Sequence, residues 1–125
     1  MEEVENPNRK FQKELNSGAV ALVLLAVLDQ AKEPLYGYQI AKHLEKSGHD
    51  LPMVKQGSLY PVLRSLEKGG LLESEVEPST SGPPRRYYRI TAEGRSVLAQ
   101  WASIWQRSKG FVDAVLEGEI HVSDF

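Results

Sequence analysis

Cysteine is absent from the 125 residues, which excludes a disulfide framework, a thiol nucleophile and any Cys-ligated zinc or iron–sulfur site. Neither sign of charge dominates: 15 Lys and Arg against 17 Asp and Glu leave a formal net charge of −2. No global field therefore draws the chain to nucleic acid, and any such role must rest on local patches. Long apolar runs are missing too. The longest, Ala19 to Leu28, has ten residues, about half of what a bilayer requires. It follows Arg9, Lys10 and Lys13, but Glu2, Glu3, Glu5 and Glu14 spoil a secretory leader. The expectation is a buried helix, no membrane partner and a cytoplasmic chain. The three histidines, His43, His49 and His121, have no ligand spacing. Neither a Gly-rich phosphate loop nor a Ser nucleophile elbow occurs, and the carboxylates are scattered. No metal, cofactor or catalytic residue is expected, so the chain is read as a non-enzyme.

What is present is periodicity. Residues 1–8 read as an acidic, polar tail. From Arg9 to Ala31 the spacing of Val20, Val23, Leu24, Val27 and Leu28 predicts a helix. Ala19, Leu22 and Leu25 make it apolar nearly all round, so it needs partners on two sides. Glu33-Pro34 ends it. A second helix from Tyr36-Gly37 turns Ile40, Ala41 and Leu44 inward and stops at Ser47-Gly48, Gly48 suiting the left-handed position. The connector His49 to Gln56, with Pro52, reads as a loop. A third helix is expected over Ser58 to Lys68, with Ser58 as its cap, Pro61 in the first turn, Leu59, Leu63 and Leu66 buried, and Gly69-Gly70 as its stop. Alternation then predicts two strands, around Leu72, Ser74 and Val76 and around Tyr88 and Ile90. They are joined by the loop Pro78 to Pro84. Thr91 caps a last helix reaching Glu117, with Glu93 in its first turn.

This order is mainly α with a small β-hairpin and matches a winged helix-turn-helix followed by one long helix. The expected division is a tail over 1–8, a DNA-binding domain over 9–91, whose first helix (9–31) also serves a dimer, and a dimerisation helix over 92–118.

Two patches point to nucleic acid. With its leucines buried, the third helix presents Ser58, Tyr60, Pro61, Arg64 and Lys68; short polar, aromatic and guanidinium groups near a helix N-terminus suit a major groove. Arg85, Arg86 and Arg89 cluster beside Tyr87 and Tyr88, where cations on a hairpin can follow a sugar-phosphate backbone. Edge-strand charges that merely discourage aggregation remain an alternative. A third pattern lies in the last helix. Leu98, Trp101, Trp105, Ser108, Val112 and Val115 recur at alternating spacings of three and four, with Ile104, Phe111 and Leu116 widening the stripe. A domain closing near Thr91 leaves that stripe unpartnered, and a second copy packing last and first helices across a two-fold axis would cover it. Folding back on its own domain is the alternative. The interface residues expected are Val20, Leu24, Leu98, Trp101, Trp105, Val112 and Val115.

Four blocks in order resemble the PadR transcriptional regulators: Tyr36-Gly37-Tyr38-Gln39-Ile40; Gly57-Ser58-Leu59-Tyr60-Pro61-Val62-Leu63; Leu66-Glu67-Lys68-Gly69-Gly70-Leu71-Leu72; and Gly82-Pro83-Pro84-Arg85-Arg86-Tyr87-Tyr88-Arg89-Ile90-Thr91. The resemblance runs from about Val20 to Leu116. It implies a dimeric, cytoplasmic winged-helix repressor of the shorter subfamily, with one helix after the wing. In that family the helix at Gly57-Ser58 enters the major groove, and some short members hold planar aromatic drugs between paired C-terminal helices. Trp105 matches the aromatic often lining that site; Trp101 is a second indole that either lines or fills the space. Tyr38, Ser58, Tyr60 and Arg64 are the candidates for reading or orienting on double-stranded DNA, and Lys42, Lys55, Lys68, Arg85 and Arg86 for phosphate contacts. Trp101 and Trp105 are the ligand candidates. The reading from another class is a protein-interaction module of the same fold without operator binding.

Overall fold

Asn6 opens the first element: its side-chain oxygen accepts the Asn8 N–H at 2.9 Å, and Pro7 follows where a missing N–H is harmless. The computed structural model, which describes residues 6–47 and 56–120, thus begins with α1 (Pro7–Gln30). By length and mean hydropathy (24 residues, 1.3) α1 is long and apolar enough to cross a membrane. This corrects the expectation drawn from its ten-residue apolar run alone. In the structure, Val20, Leu24, Leu25 and Leu28 are buried in the protein's own core.

The backbone turns extended at Ala31 and enters a two-residue strand, β1 (Leu35–Tyr36), that the sequence reading did not foresee. Then α2 (Gly37–Glu45) starts, with Gln39 Oε1 accepting the Tyr36 N–H at 3.1 Å. It buries Gly37, Ile40 and Ala41. The expected stop at Gly48 and the connector with Pro52 lie outside the described residues, as do residues 1–5 of the tail and the histidines at 49 and 121.

The third helix, α3 (Gln56–Lys68), begins two residues earlier than expected. Ser58 is therefore its third residue and not its cap, and Pro61 lies in its interior, where the ladder forgoes one hydrogen bond. Leu59, Leu63 and Leu66 are buried as expected. The helix ends where Gly70, at φ +82°, lets two N–H groups turn back: Gly70 to the Glu67 carbonyl and Leu71 to the Leu66 carbonyl, both at 3.0 Å.

The hairpin comprises β2 (Leu72–Glu77) and β3 (Arg85–Ile90), paired antiparallel with Leu72 opposite Ile90 and Ser74 opposite Tyr88. β1 adds to the other side of β3, Leu35 opposite Tyr88 and Tyr36 opposite Tyr87, giving a three-stranded sheet ordered β1-β3-β2. The alternation expected of β2 fades along it. Leu72 is buried and Ser74 half-buried, but Val76 is exposed, because the outer end of the hairpin runs beyond the core, with Glu77, Arg85 and Arg86 exposed beside it.

Thr91 caps α4 (Ala92–Leu116) as expected, its Oγ1 accepting the Gly94 N–H at 2.9 Å. Its hydroxyl in turn donates to the Gly70 carbonyl at 2.8 Å, joining the start of α4 to the exit of α3. Leucines of α1, α3 and the sheet form one core with Ile40, Tyr88 and Ile90, each burial worth about 1.5–3 kcal/mol. Val97, Leu98 and Trp101 of α4 pack against that same core. The apolar seam of α4 is thus split: its first half folds back on its own chain, while Trp105, Val112 and Val115 stay exposed. Val20 and Leu24, expected between copies, are likewise covered within the chain, since α1 is wrapped by α3, β3 and α4.

Candidate nucleic-acid interface

Burying Leu59, Leu63 and Leu66 turns the rest of α3 outward, and Ser58, Pro61, Arg64 and Lys68 are exposed on it. Tyr60 is different. It is half-buried, its ring against Gly37 so closely that a Cβ there would stand 2.7 Å from the ring edge. That contact locks the N-terminal half of α3 against the start of α2, so Tyr60 orients the helix as much as it offers a surface. Lys68 is the last residue of α3, about 15 Å along the axis from Ser58, where a cation also suits the helix dipole.

Exposed Tyr38 and Lys42 share one face of α2, with the ammonium 5.5 Å from the ring centroid. An ion pair with Glu45 at 3.4 Å also engages Lys42. Tyr36 of β1 stacks beside Tyr38 at 6.3 Å and meets Tyr87 of β3 edge-on at 5.3 Å. The Arg85 guanidinium lies 4.7 Å from the Tyr36 ring centroid. Lys42 and Arg85, from elements far apart in sequence, thus belong to one cluster of tyrosines. Lys55 lies outside the described residues.

The remaining hairpin arginines are held differently. Arg89 donates to Glu73 at 2.6 Å, a direct ion pair across the strands that raises the guanidinium's pKa, mainly through that hydrogen bond. Arg86 donates to Ser74 Oγ at 2.8 Å, and the Ser74 hydroxyl donates to Glu67 of α3. Tyr88 lies in the same neighbourhood, 2% exposed. Burial pushes its phenol above the ordinary value, the Glu67 charge adds to that, and Arg86 and Arg64 pull it back. The sheet and α3 therefore bring Arg64 and Arg86 into one electrostatic setting.

The sequence model of the transcriptional regulator PadR-like family matches residues 24–100, which span α2, α3 and the hairpin just described. The chain belongs to the PadR-like family. This PadR-like regulator is 36% identical over 93 residues to a transcriptional regulator of Mycobacterium tuberculosis, covering 74% of this chain and 77% of that protein. It resembles the crystal structure of a PadR family transcriptional regulator from Eggerthella lenta, with a TM-score of 0.70 and 37% identity over 87% of this chain and 91% of the other. A PadR-like regulator from Bacillus cereus superposes with a TM-score of 0.67 and 31% identity, over 84% and 98% of the two chains.

Away from the hairpin, α1 and α4 of the PadR-like chain enclose an open groove of about 540 Å³. Leu15, Gly18, Leu22, Trp101, Trp105 and Ser108 are among its lining residues. Both indoles expected at a ligand site line this one groove. Sequence reasoning did not single out Tyr36, Glu67 or Ser74 for the site, and took Tyr87 only as a neighbour of the hairpin arginines. The clue to Ser74 was available: a serine where strand alternation calls for an apolar residue announces a polar partner.

Proposed function

We propose that this PadR-like regulator is a cytoplasmic homodimer that binds operator DNA and acts as a repressor, released by a planar aromatic molecule. The observation that carries the reading is the continuity of the exposed face of α3 with the arginine-bearing hairpin. The two are linked through Glu67, Ser74 and Arg86, and the charges of Arg64 and Arg86 both act on buried Tyr88. In this reading α3 enters the major groove, where Arg64 pairs with a base, and Arg85 and Arg86 follow the backbone. Tyr38 helps to orient the protein on the duplex, and Lys42 supplies a further phosphate contact beside it.

Dimerisation is supported by the second half of α4, where Ile104, Trp105, Phe111, Val112, Val115 and Leu116 are all exposed. An apolar face of that extent calls for a partner, and an isologous one sets two copies of α3 a helical turn of DNA apart. The groove beside Trp101 and Trp105 supports the ligand: its volume falls in the range of small-molecule sites, and flat indole walls suit stacking.

Selection of bound fragments from genomic DNA, followed by mobility-shift titration against random duplex, tests the proposal. Enrichment of an inverted-repeat sequence bound as two protomers is expected. Equal affinity for selected and random duplex at all salt concentrations would remove the operator-binding role and favour a protein-interaction module.

A further inference from the structure

Three arginines stand on β3, and each is held by a different kind of partner. Arg85 lies over the Tyr36 ring, Arg89 is neutralised by the Glu73 carboxylate at 2.6 Å, and Arg86 rests on the Ser74 hydroxyl at 2.8 Å. For Arg86 the partners lead back to α3, through the hydrogen bond from Ser74 to Glu67. We propose that Ser74, anchored by Glu67, is a positioning residue that fixes the Arg86 guanidinium of the wing relative to α3 for DNA binding; this rests on the DNA-binding reading above.

The argument is one of donors and lone pairs. A serine hydroxyl has one proton and two lone pairs. Its proton goes to Glu67 Oε2, which leaves the lone pairs to accept Arg86 Nη1. The cross-strand neighbour of Arg86 is Val76, an exposed apolar residue with nothing to accept a hydrogen bond. Ser74, two pairs further along the ladder and so on the same face as Val76, is what holds the guanidinium.

The hydroxyl also acts as a spacer. Arg86 makes no ion pair within 4 Å among the described residues, so its charge is not consumed as that of Arg89 is. A guanidinium carries five N–H donors. One goes to Ser74, and the others remain for a bidentate contact with phosphate. A direct carboxylate partner would orient the arginine and neutralise it together; the interposed serine orients it and leaves it cationic. Because Glu67 lies three residues after Arg64 on α3, the wing's phosphate contact and the proposed base contact are then set in one frame. Freezing a long side chain before binding spares that ordering from the association step.

Ser74→Thr and Ser74→Val differ only in the hydroxyl, and both β-branched residues suit a strand. The intact protein and these variants are titrated by fluorescence anisotropy against a duplex selected from genomic DNA, over a range of salt. Ser74→Thr is expected to bind like the unaltered protein. Ser74→Val is expected to bind about three- to tenfold more weakly with an unchanged log–log salt slope, since Arg86 still reaches its phosphate. Arg86→Ala flattens the slope by about 0.9, and in the Arg86→Ala background the Thr and Val variants bind alike. Equal binding by Thr and Val in the unaltered background, or a loss that persists undiminished without Arg86, overturns the positioning role. If Arg86→Ala itself leaves binding and slope unchanged, or the intact protein binds no duplex, the wing's DNA contact fails and the proposal falls with it.

Discussion

A Cβ on Gly94 would stand 2.2 Å from the Leu71 carbonyl oxygen and 2.7 Å from the Ile90 side chain. The first turn of α4 therefore approaches the α3–β2 turn at a distance only glycine permits. Gly94→Ala should destabilise the protein by about 2–4 kcal/mol. Gly110, further along the same helix, has nothing within 4 Å of its Cβ position. Gly110→Ala should stabilise it by about 0.5–1 kcal/mol through helix propensity. Denaturant unfolding of the two variants checks the contrast; equal effects would contradict the close approach.

Replacing Arg85 and Arg86 together by Ala should weaken binding to all duplexes similarly and flatten the log–log salt slope by roughly 0.9 per lost phosphate contact. Arg64→Ala should instead remove about 1–3 kcal/mol from the specific site alone. Titrations on selected and random duplex at several salt concentrations separate the two. A uniform loss for Arg64→Ala would assign it to the backbone.

Val112 and Val115 are exposed on the free half of α4. Changing both to Glu should set like charges against each other across a two-fold axis, giving monomers that no longer hold an operator. The folded chain itself should survive, since neither side chain belongs to its core. Sedimentation velocity reads the outcome, and a persisting dimer would locate the interface elsewhere.

Tyr88 predicts an alkaline limit to stability. Its folded pKa is raised above 10.0, chiefly by burial. Its neutral form is thus fully compatible with the fold below pH 10. As pH rises from there toward the raised value the unfolded chain ionises first, and stability falls. Tyr88→Phe should stay within about 1 kcal/mol of the unaltered protein near neutrality and lose less stability in alkali. Parallel denaturant midpoints on both sides of pH 10 supply the test.

Planar aromatic compounds that enter the groove beside Trp101 and Trp105 should quench indole fluorescence at micromolar levels and release the operator, a coupling through the dimer. Trp105→Ala should abolish the quenching. Quenching that survives the substitution would make the tryptophans structural.

Much of the fold was legible because its causes are local. The leucines at 59, 63 and 66, the Thr91 cap and the Gly69-Gly70 stop each announce themselves within one or two turns of chain. Strand β1 was not legible: two residues carry no alternation, and they pair with Tyr87 and Tyr88 some fifty positions away. The same distance hid the Arg85–Tyr36 contact and the Glu67–Ser74–Arg86 chain, since hydrogen-bond partners across elements leave no period in a sequence. Val20 and Leu24 were assigned to the wrong partner for a related reason. Periodicity shows that a face is buried and does not say against what.

The packing of Val97, Leu98 and Trp101 on the core leaves the second half of α4 as a projecting arm. From Trp101 to Leu116 it extends about 22 Å. A swing of about 5° at its root displaces the far tip by about 2 Å, as the length of the helix dictates. Run in reverse, the gearing is fine: a shift of ångströms at the tip turns the root by only a few degrees. Two such arms sharing one axis would trade coarse movement at their tips for small adjustments in the angle at which a pair of helices meets a double helix.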